Sequence, residues 1–369
     1  MNMFAFLNLS KKKLGQKLLL LLGSTMLTLL VLELVFRIAG IRGDYHQPRV
    51  DRVFPIAGMK VEPTAFGFYS NSIIVSQYDS NPRMYFEPGN TIAHRHNSIG
   101  WRDVEHTLDK PVGVFRILGL GDSYLWGQGV KREDICLTKL ADHLRESGPE
   151  AIETINAGLT AFNTENQRDQ LIAKGLAFDP DLVIVHYVLN DVEQDLFRNA
   201  PKIDFFRDYT SIYQSTDRLS NFSYLWSWSR YRILKHLQAN RYIQDCAESF
   251  RPDSTGWRAS RNALYDIKVI CDQNDIRLCV VIFPFFYDLN GDYPFQPIHT
   301  TVAEFCQSQE IHVLDLRDHF RDFEGPELWV HATDQHPNEI AHDIAAREIA
   351  RFLKGHVAEM LVGSKDESD

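Results

Sequence analysis

From residue 114 onward, five short and almost continuously apolar runs recur, with helix-like stretches between them. The runs are 115–120 (FRILGL), 152–157 (IETINA), 182–188 (LVIVHYV), 278–283 (LCVVIF) and 311–316 (IHVLDL). The helix-like segments fall at about 132–146, 163–177, 257–275, 298–309 and 338–354. A strand that is apolar on both faces needs cover on both faces, and helices alternating with such strands supply it in a parallel sheet. The pattern predicts an α/β fold: a three-layer αβα domain on five parallel strands. Ligands of such sheets sit beyond the carboxyl ends of the strands, so the residues just after each run are where chemistry is sought.

A second constraint lies upstream. Residues 18–36 (LLLLLGSTMLTLLVLELVF) hold one ionisable group, Glu33, and as a helix they span roughly 28 Å, close to the hydrocarbon thickness of a bilayer. Lys11, Lys12, Lys13 and Lys17 precede the run, while Arg37, Arg42 and Arg49 follow more sparsely. The positive-inside rule puts the amino terminus in the cytoplasm and residues beyond about 40 outside. The run is too long for the apolar part of a signal peptide and ends in Phe-Arg-Ile-Ala-Gly without a small-x-small cleavage site. An uncleaved single-pass inner-membrane anchor is expected, with the body of the chain periplasmic. Glu33, near the outer end, is expected to snorkel to the interface.

The net charge of −10 then divides unevenly, because residues 1–40 carry +4 and the rest −14. That sign argues against nucleic acid as a partner and against the exported body lying on anionic headgroups. With 44% hydrophobic and 24% charged residues, collagenous, disordered and disulfide-scaffold classes are excluded. Cys136, Cys246, Cys271, Cys279 and Cys306 are scattered without close spacing and read as buried small side chains, with room for one bridge. The organisation expected is a cytoplasmic tail (1–17), the anchor (18–38), a stalk or lead-in (39–112), an α/β domain (113–355) and a polar tail (356–369). The lead-in, with Pro48, Pro55, Pro63, Pro82, Pro88 and Pro111, reads as irregular, with short strands at best. Residues 195–255 interrupt the rhythm with Phe205, Phe206, Tyr209, Tyr213, Phe222, Tyr224, Trp226, Trp228, Tyr231 and Tyr242. They read either as a helical lid over the strand ends or as a helical hairpin whose aromatics are core.

Four strand exits carry polar groups suited to acyl chemistry. After the first run comes Gly119-Leu120-Gly121-Asp122-Ser123-Tyr124-Leu125-Trp126-Gly127-Gln128-Gly129. A serine at such a strand-to-helix turn points its hydroxyl and the helix's first N–H groups into one space, as a nucleophile and an oxyanion donor require. The stretch matches neither phosphate-binding fingerprint. The second run leads into the small-residue loop 156–164, and the third into Asn190, whose amide can donate to a developing oxyanion. Asp334 and His336 stand two apart on one side of an extended loop, where the carboxylate can orient the imidazole. Asn338 reads as the N-cap of the last helix. Asp122 and Asp191 read as structural acceptors, His186 as a satisfied core histidine, and His312, His319 and His342 as peripheral. His331 with Asp334 and His336, or His94 with His96, have no third partner in register, so no metal is expected.

This order of Ser, small-residue loop, Asn and His resembles the SGNH hydrolase (GDSL-like esterase and lipase) superfamily of membrane-anchored bacterial type, over about residues 113–355. Asn97-Ser98-Ile99-Gly100-Trp101-Arg102 is similar to the lead-in of exported members. The resemblance implies a flavodoxin-like sheet of order 2-1-3-4-5, esterase or acyl-transfer chemistry and no cofactor. It further implies Ser123 as nucleophile, His336 as general base and Asp334 as orienting acid, with an oxyanion hole of the Ser123 and Ala161 N–H groups and the Asn190 side chain. Ala161 and Val188 stand where the family usually has glycine; from a negative φ, Ala161 still donates its N–H. The expected activity is that of a serine esterase or O-acyltransferase on O-acyl groups, foremost acetyl, of a cell-envelope or exported glycan. The expected partners are the membrane, an acylated glycan or small ester, and envelope polysaccharide machinery. Two alternatives are kept: a lipid or thioester hydrolase, in line with the aromatic segment, and a weakened binding or assembly module of an exopolysaccharide system, in line with the two missing glycines.

Overall fold

The structure, a computed structural model, describes residues 3–42, 49–145, 151–193 and 218–356. In chain order the elements are α1 (Met3–Ile38); β1 (Val50–Pro55), β2 (Ser72–Gln77) and β3 (Thr91–Arg95); β4 (Phe115–Gly121), α2 (Ser123–Trp126) and α3 (Cys136–Arg145); β5 (Ile152–Asn156) and α4 (Thr164–Ala173); β6 (Leu182–Val188); α5 (Arg218–Phe222), α6 (Tyr224–Ser249) and α7 (Thr255–Gln273); β7 (Arg277–Phe283) and α8 (Gln296–Ser308); β8 (His312–Asp315); β9 (Trp329–His331), β10 (Asp334–Pro337) and α9 (Glu339–His356), short helical turns aside. The chain forms two compact units, residues 1–45 with 204–241 and residues 46–203 with 242–369.

The second unit is built on a five-stranded parallel sheet of order β5-β4-β6-β7-β8. This is the 2-1-3-4-5 order of a flavodoxin-like fold. Every residue of the inner strands β4 and β6 is buried, because each has a strand on both sides and helices over both faces. Helix α3 packs on α9, and α4 packs on α7. Each aliphatic side chain buried in these layers contributes about 1.5–3 kcal/mol. Helix starts are fixed by side chains: Asn163 caps α4, Ser254 caps α7, and Asn338 accepts from the N–H groups of Ile340 and Ala341 at the start of α9. All five cysteines are free and buried.

The lead-in is more ordered than its prolines suggest. β1, β2 and β3 form an antiparallel sheet in that order, registered from Val50 opposite Gln77 to Pro55 opposite Ser72. Pro55 closes β1, whereas Pro63, Pro82, Pro88 and Pro111 lie between elements, where a missing N–H costs no ladder bond; Pro48 lies outside the described residues. The motif of residues 97–102 has a specific task. Asn97 Oδ1 accepts from the Trp101 N–H at 2.9 Å and turns the chain, so that buried Arg102 donates to the carbonyls of Trp126, Gly127 and Val130. Its guanidinium also lies over the Trp126 ring, at 5.1 Å. The lead-in thereby grips the carboxyl end of α2.

In the first unit, Leu14–Ile38 of α1 is a 25-residue span whose most apolar 18 residues have a mean hydropathy of 2.3, long enough to cross a membrane. Glu33 does not simply snorkel. It accepts from Ser223 Oγ at 2.7 Å and from the N–H groups of Tyr224 and Leu225 at 3.0 Å, capping the first turn of α6. One turn further on, Arg37 pairs with Glu33 at 2.6 Å and donates to the Phe222 carbonyl at the end of α5. Phe36 meets Trp228 edge-on at 5.4 Å, and Arg37 lies over the Tyr224 ring at 5.2 Å. Tyr224 and Trp228 thus face the apolar helix, a partner that neither reading of the aromatic segment named. Phe205, Phe206, Tyr209 and Tyr213 lie outside the described residues. Tyr242 belongs to the second unit, against Phe285 and Phe295.

Candidate active site

β4 ends at Gly121 and the chain turns at once into α2. A Cβ at Gly121 would stand 2.8 Å from Leu125 Cβ and 3.1 Å from His186 Cβ, so glycine is what lets α2 fold back this closely. Asp122 caps the turn, accepting from the Tyr124 N–H at 2.8 Å on Oδ1 and from Asn190 Nδ2 at 3.1 Å on Oδ2. Gly127 closes the helix at φ 80°, its N–H bonded to the Ser123 and Tyr124 carbonyls. Ser123 is therefore the first residue of a helix at the open end of the sheet, half-buried, with its N–H donating to no described residue.

β10 brings the other two groups. Its extended backbone points Asp334 and His336 to the same side. His336 Nε2 lies 2.8 Å from Ser123 Oγ, and His336 Nδ1 lies 2.5 Å from Asp334 Oδ1. Asn190 joins this chain through Asp122. The loop after β5 runs along α2, with the Leu159 N–H bonded to the Gly121 carbonyl at 3.1 Å and Asn156 Nδ2 to the Leu125 carbonyl at 3.0 Å. A hydroxyl within reach of an imidazole whose other nitrogen faces a buried carboxylate can surrender its proton and attack an electrophilic carbonyl.

The condition set for Ala161 is not met: its φ is +62°, not negative. The loop imposes the left-handed turn a glycine would adopt freely, and alanine adopts it at a cost on the order of 1 kcal/mol. The Ala161 N–H also donates to no described residue. Ala161→Gly should relieve this strain, partly offset by glycine's larger unfolded-state freedom, and raise Tm by about 1–2 °C. A thermal melt of the two proteins checks it; an unchanged or lower Tm removes the strain argument. Val188 lies in the all-buried strand β6, registered with Phe283, where a side chain is accommodated.

Two residues not assigned to the site from the sequence complete the acid. Arg49 Nη1 donates to Asp334 Oδ2 at 2.6 Å, and Tyr78 Oη donates to the same oxygen at 2.7 Å. Arg49 also bonds Asp51 at 3.0 Å, Ser76 Oγ donates to Asp51 at 2.6 Å, and Ser76 meets His94 Nε2 at 3.1 Å. A polar chain therefore runs from the acid into the lead-in sheet. Burial pushes the Asp334 carboxyl upward, but the His336 ring, the Arg49 guanidinium and the Tyr78 hydroxyl outweigh it and hold the group well below the usual carboxylate range. The neighbouring acids move the other way. Burial raises Asp122, and burial together with the Asp122 charge raises Asp191 well above its ordinary value. Asp191 accepts from Thr164 Oγ1 and Gln167 Nε2.

Five other histidines lie outside this triad. His186 is a core residue, yet neither ring nitrogen has a partner among the described residues, and burial lowers it to about 3. His342, expected at the periphery, is buried, and its Nδ1 accepts from the Cys136 N–H at 3.1 Å. His94 and His96 meet Trp126 and bond Ser76 and Ser72, while His331 bonds Ser80 at 2.7 Å. Among the described residues no group of three His, Cys, Asp or Glu is placed to hold a metal.

Residues 120–344 match the sequence model of the GDSL-like lipase/acylhydrolase family. The chain belongs to this family. It is a serine hydrolase of the SGNH type, acting on acyl esters. Comparison with curated proteins gave no match. Among solved structures, the family member described here is similar to an acetylxylan esterase from Geobacillus stearothermophilus, with 14% identity over 66% of this chain and 96% of that one and a TM-score of 0.43. It is also similar to the lipase/acylhydrolase from Enterococcus faecalis, with 16% identity over 66% and 97% and a TM-score of 0.40. A two-domain esterase active on acetylated mannans shows 16% identity over 68% of this chain, with a TM-score of 0.41; the present chain spans 51% of its length.

Proposed function

We propose that this protein is a membrane-anchored, extracytoplasmic serine esterase or O-acyltransferase that acts on O-acyl groups, foremost acetyl, of a cell-envelope or exported glycan. The observation that carries the reading is the continuous chain from Ser123 Oγ through His336 to Asp334, at 2.8 and 2.5 Å. Ser123 Oγ attacks the acyl carbonyl while its proton passes to His336 Nε2. The tetrahedral oxyanion is met by the N–H groups of Ser123 and Ala161 and by the Asn190 amide. Collapse breaks the ester bond, and the leaving sugar oxygen takes the proton from His336. Water, or a second hydroxyl in the transferase case, then gives a proton to His336 and attacks the acyl-serine. Hydrolysis releases the carboxylic acid, transfer a new ester, and both restore the Ser123 hydroxyl. Ser123 and His336 are both half-buried, with 27% of the His336 side chain exposed. That access favours an acyl group carried on a polymer over a substrate that needs a closed pocket.

Fluorophosphonate labelling of the full-length protein in detergent tests the reading. Label on Ser123, found by peptide mapping, is the expected result; an unlabelled protein favours the binding or assembly module. A chain-length series of p-nitrophenyl esters should show acetyl preferred, whereas preference for long acyl chains would favour the lipid hydrolase. An alkaline phosphatase fused to the carboxyl terminus should be active, and an inactive fusion would reverse the topology. Asn190→Ala should lower kcat about 10²-fold to 10³-fold with little change in KM, since its donor acts on the transition state. A change confined to KM would remove Asn190 from the hole.

A further inference from the structure

The geometry points to a second membrane contact: α5 and the first turns of α6 form a foot that lies in the headgroup layer beside α1 and takes anionic phospholipid. This rests on the reading of α1 as a membrane-spanning helix. Three observations carry it.

The first is position. Glu33 and Arg37 fasten the corner between α5 and α6 to the last two turns of α1. Glu33 stands five residues before the end of that helix at Ile38, a rise of roughly 8 Å, so the corner falls where hydrocarbon gives way to headgroups.

The second is the surface that the foot presents. Phe222 is 74% exposed, Trp226 45%, Ile233 59% and Leu237 59%. Trp226, Ile233 and Leu237 are spaced by seven and then four residues, which puts them within about 40° of one another on a helix. Tyr224, Trp228 and Tyr231 add to an aromatic content of the kind that collects at membrane interfaces.

The third is charge. Residues 218–241 contain Arg218, Arg230, Arg232, Lys235 and Arg241 and no Asp or Glu, within a chain of net charge −10. The strongly acidic average that argues for standing off the membrane hides one wholly basic segment. An apolar stripe beside basic residues is the pattern of an interfacial helix on anionic lipid. A second copy of the chain is a poorer occupant, because pairing two such segments would bring ten like charges together.

Spin labels on the full-length protein in phosphatidylcholine nanodiscs, with or without phosphatidylglycerol, test this. Single cysteines replace Leu29 within α1, Phe222 and Ile233 in the foot, and Asp322 as a water-exposed reference; the unsubstituted chain reports any labelling of the buried native thiols. Collision with oxygen against a water-soluble nickel chelate measures depth. The Leu29 label should report hydrocarbon in every disc. The Phe222 and Ile233 labels should show an oxygen-to-nickel ratio several-fold above that at Asp322, rising with phosphatidylglycerol. That rise should disappear when Arg232→Gln and Lys235→Gln are combined. A Leu29 label in hydrocarbon with foot labels as wet as Asp322 would overturn the foot alone. Foot labels shielded from both oxygen and nickel would mean a protein partner and also overturn it. A wet Leu29 label would overturn the anchor reading and the foot with it.

Discussion

Ser123→Ala lowers kcat for p-nitrophenyl acetate about 10⁴-fold or more, His336→Ala lowers it comparably, and the double variant is scarcely worse than either. The reason is the shared proton. Among the described residues, the only close partner of Ser123 Oγ is His336 Nε2 at 2.8 Å, with the Asp122 carboxylate more distant at 3.5 Å. Without the imidazole the hydroxyl has no acceptor; without the hydroxyl the imidazole has no nucleophile to activate. The residual rate comes from substrate binding and oxyanion donors, which both substitutions leave in place. Removing the hydroxyl vacates no backbone bond, because α2 is capped by Asp122 and held by Gly127 and Arg102. Steady-state kinetics on detergent-solubilised protein, with circular dichroism to confirm folding, measures the effect. Turnover within tenfold of the wild type in Ser123→Ala would remove Ser123 as the nucleophile and leave the fold assignment standing.

What the sequence made legible follows from the range of the signal. β6 was readable residue for residue as Leu182–Val188 because burial on both faces leaves an apolar run interrupted by His186 alone. β8, partly exposed along its length, is four residues, His312–Asp315, where a run of six residues suggested more. Asp334 and His336 were readable because two positions along an extended strand suffice to bring them together. Arg49 was not, since it lies 285 positions from Asp334. Nothing in β1 flags its importance either, because all six of its residues are exposed and it has no alternating pattern. The role of Glu33 was hidden for the same reason: an acid in an apolar helix has an energetic explanation of its own, and the N–H groups it caps lie about 190 positions away. The φ of Ala161 was out of reach because alanine has no preference for that turn; the loop packed on α2 imposes it.

Asp334→Asn should cost about 10⁴-fold in kcat, because an amide donates where the imidazole N–H must be accepted and so turns the ring to the wrong tautomer. The more informative substitutions are those of its two other partners. Arg49 and Tyr78 touch Oδ2 of the acid, the oxygen His336 does not use. They act by fixing the carboxylate and keeping it ionised, so their loss should appear in kcat with KM nearly unchanged. A charge-assisted hydrogen bond contributes about 1.5–3 kcal/mol, so Arg49→Met should lower kcat about 10-fold to 100-fold, Tyr78→Phe less, and Arg49→Lys should recover part of the loss. Stability follows the same carboxylate. Asp334 is held well below its unfolded value, so its contribution is fully present above about pH 4 and is lost as the pH falls towards the depressed native value. Arg49→Met removes part of that depression, the His336 ring holding the larger share. The gap in Tm between wild type and Arg49→Met should therefore hold from neutral pH down to the variant's own native Asp334 value, itself below about pH 4, and narrow as the pH falls further. A gap that stays constant with pH would mean that Arg49 merely packs. Both Arg49 and Tyr78 lie outside residues 120–344, the span that matches the family. A chain trimmed to that span would keep Ser123, Asp334 and His336 and still be a poor enzyme, because the groups that hold the acid in place reside in the lead-in.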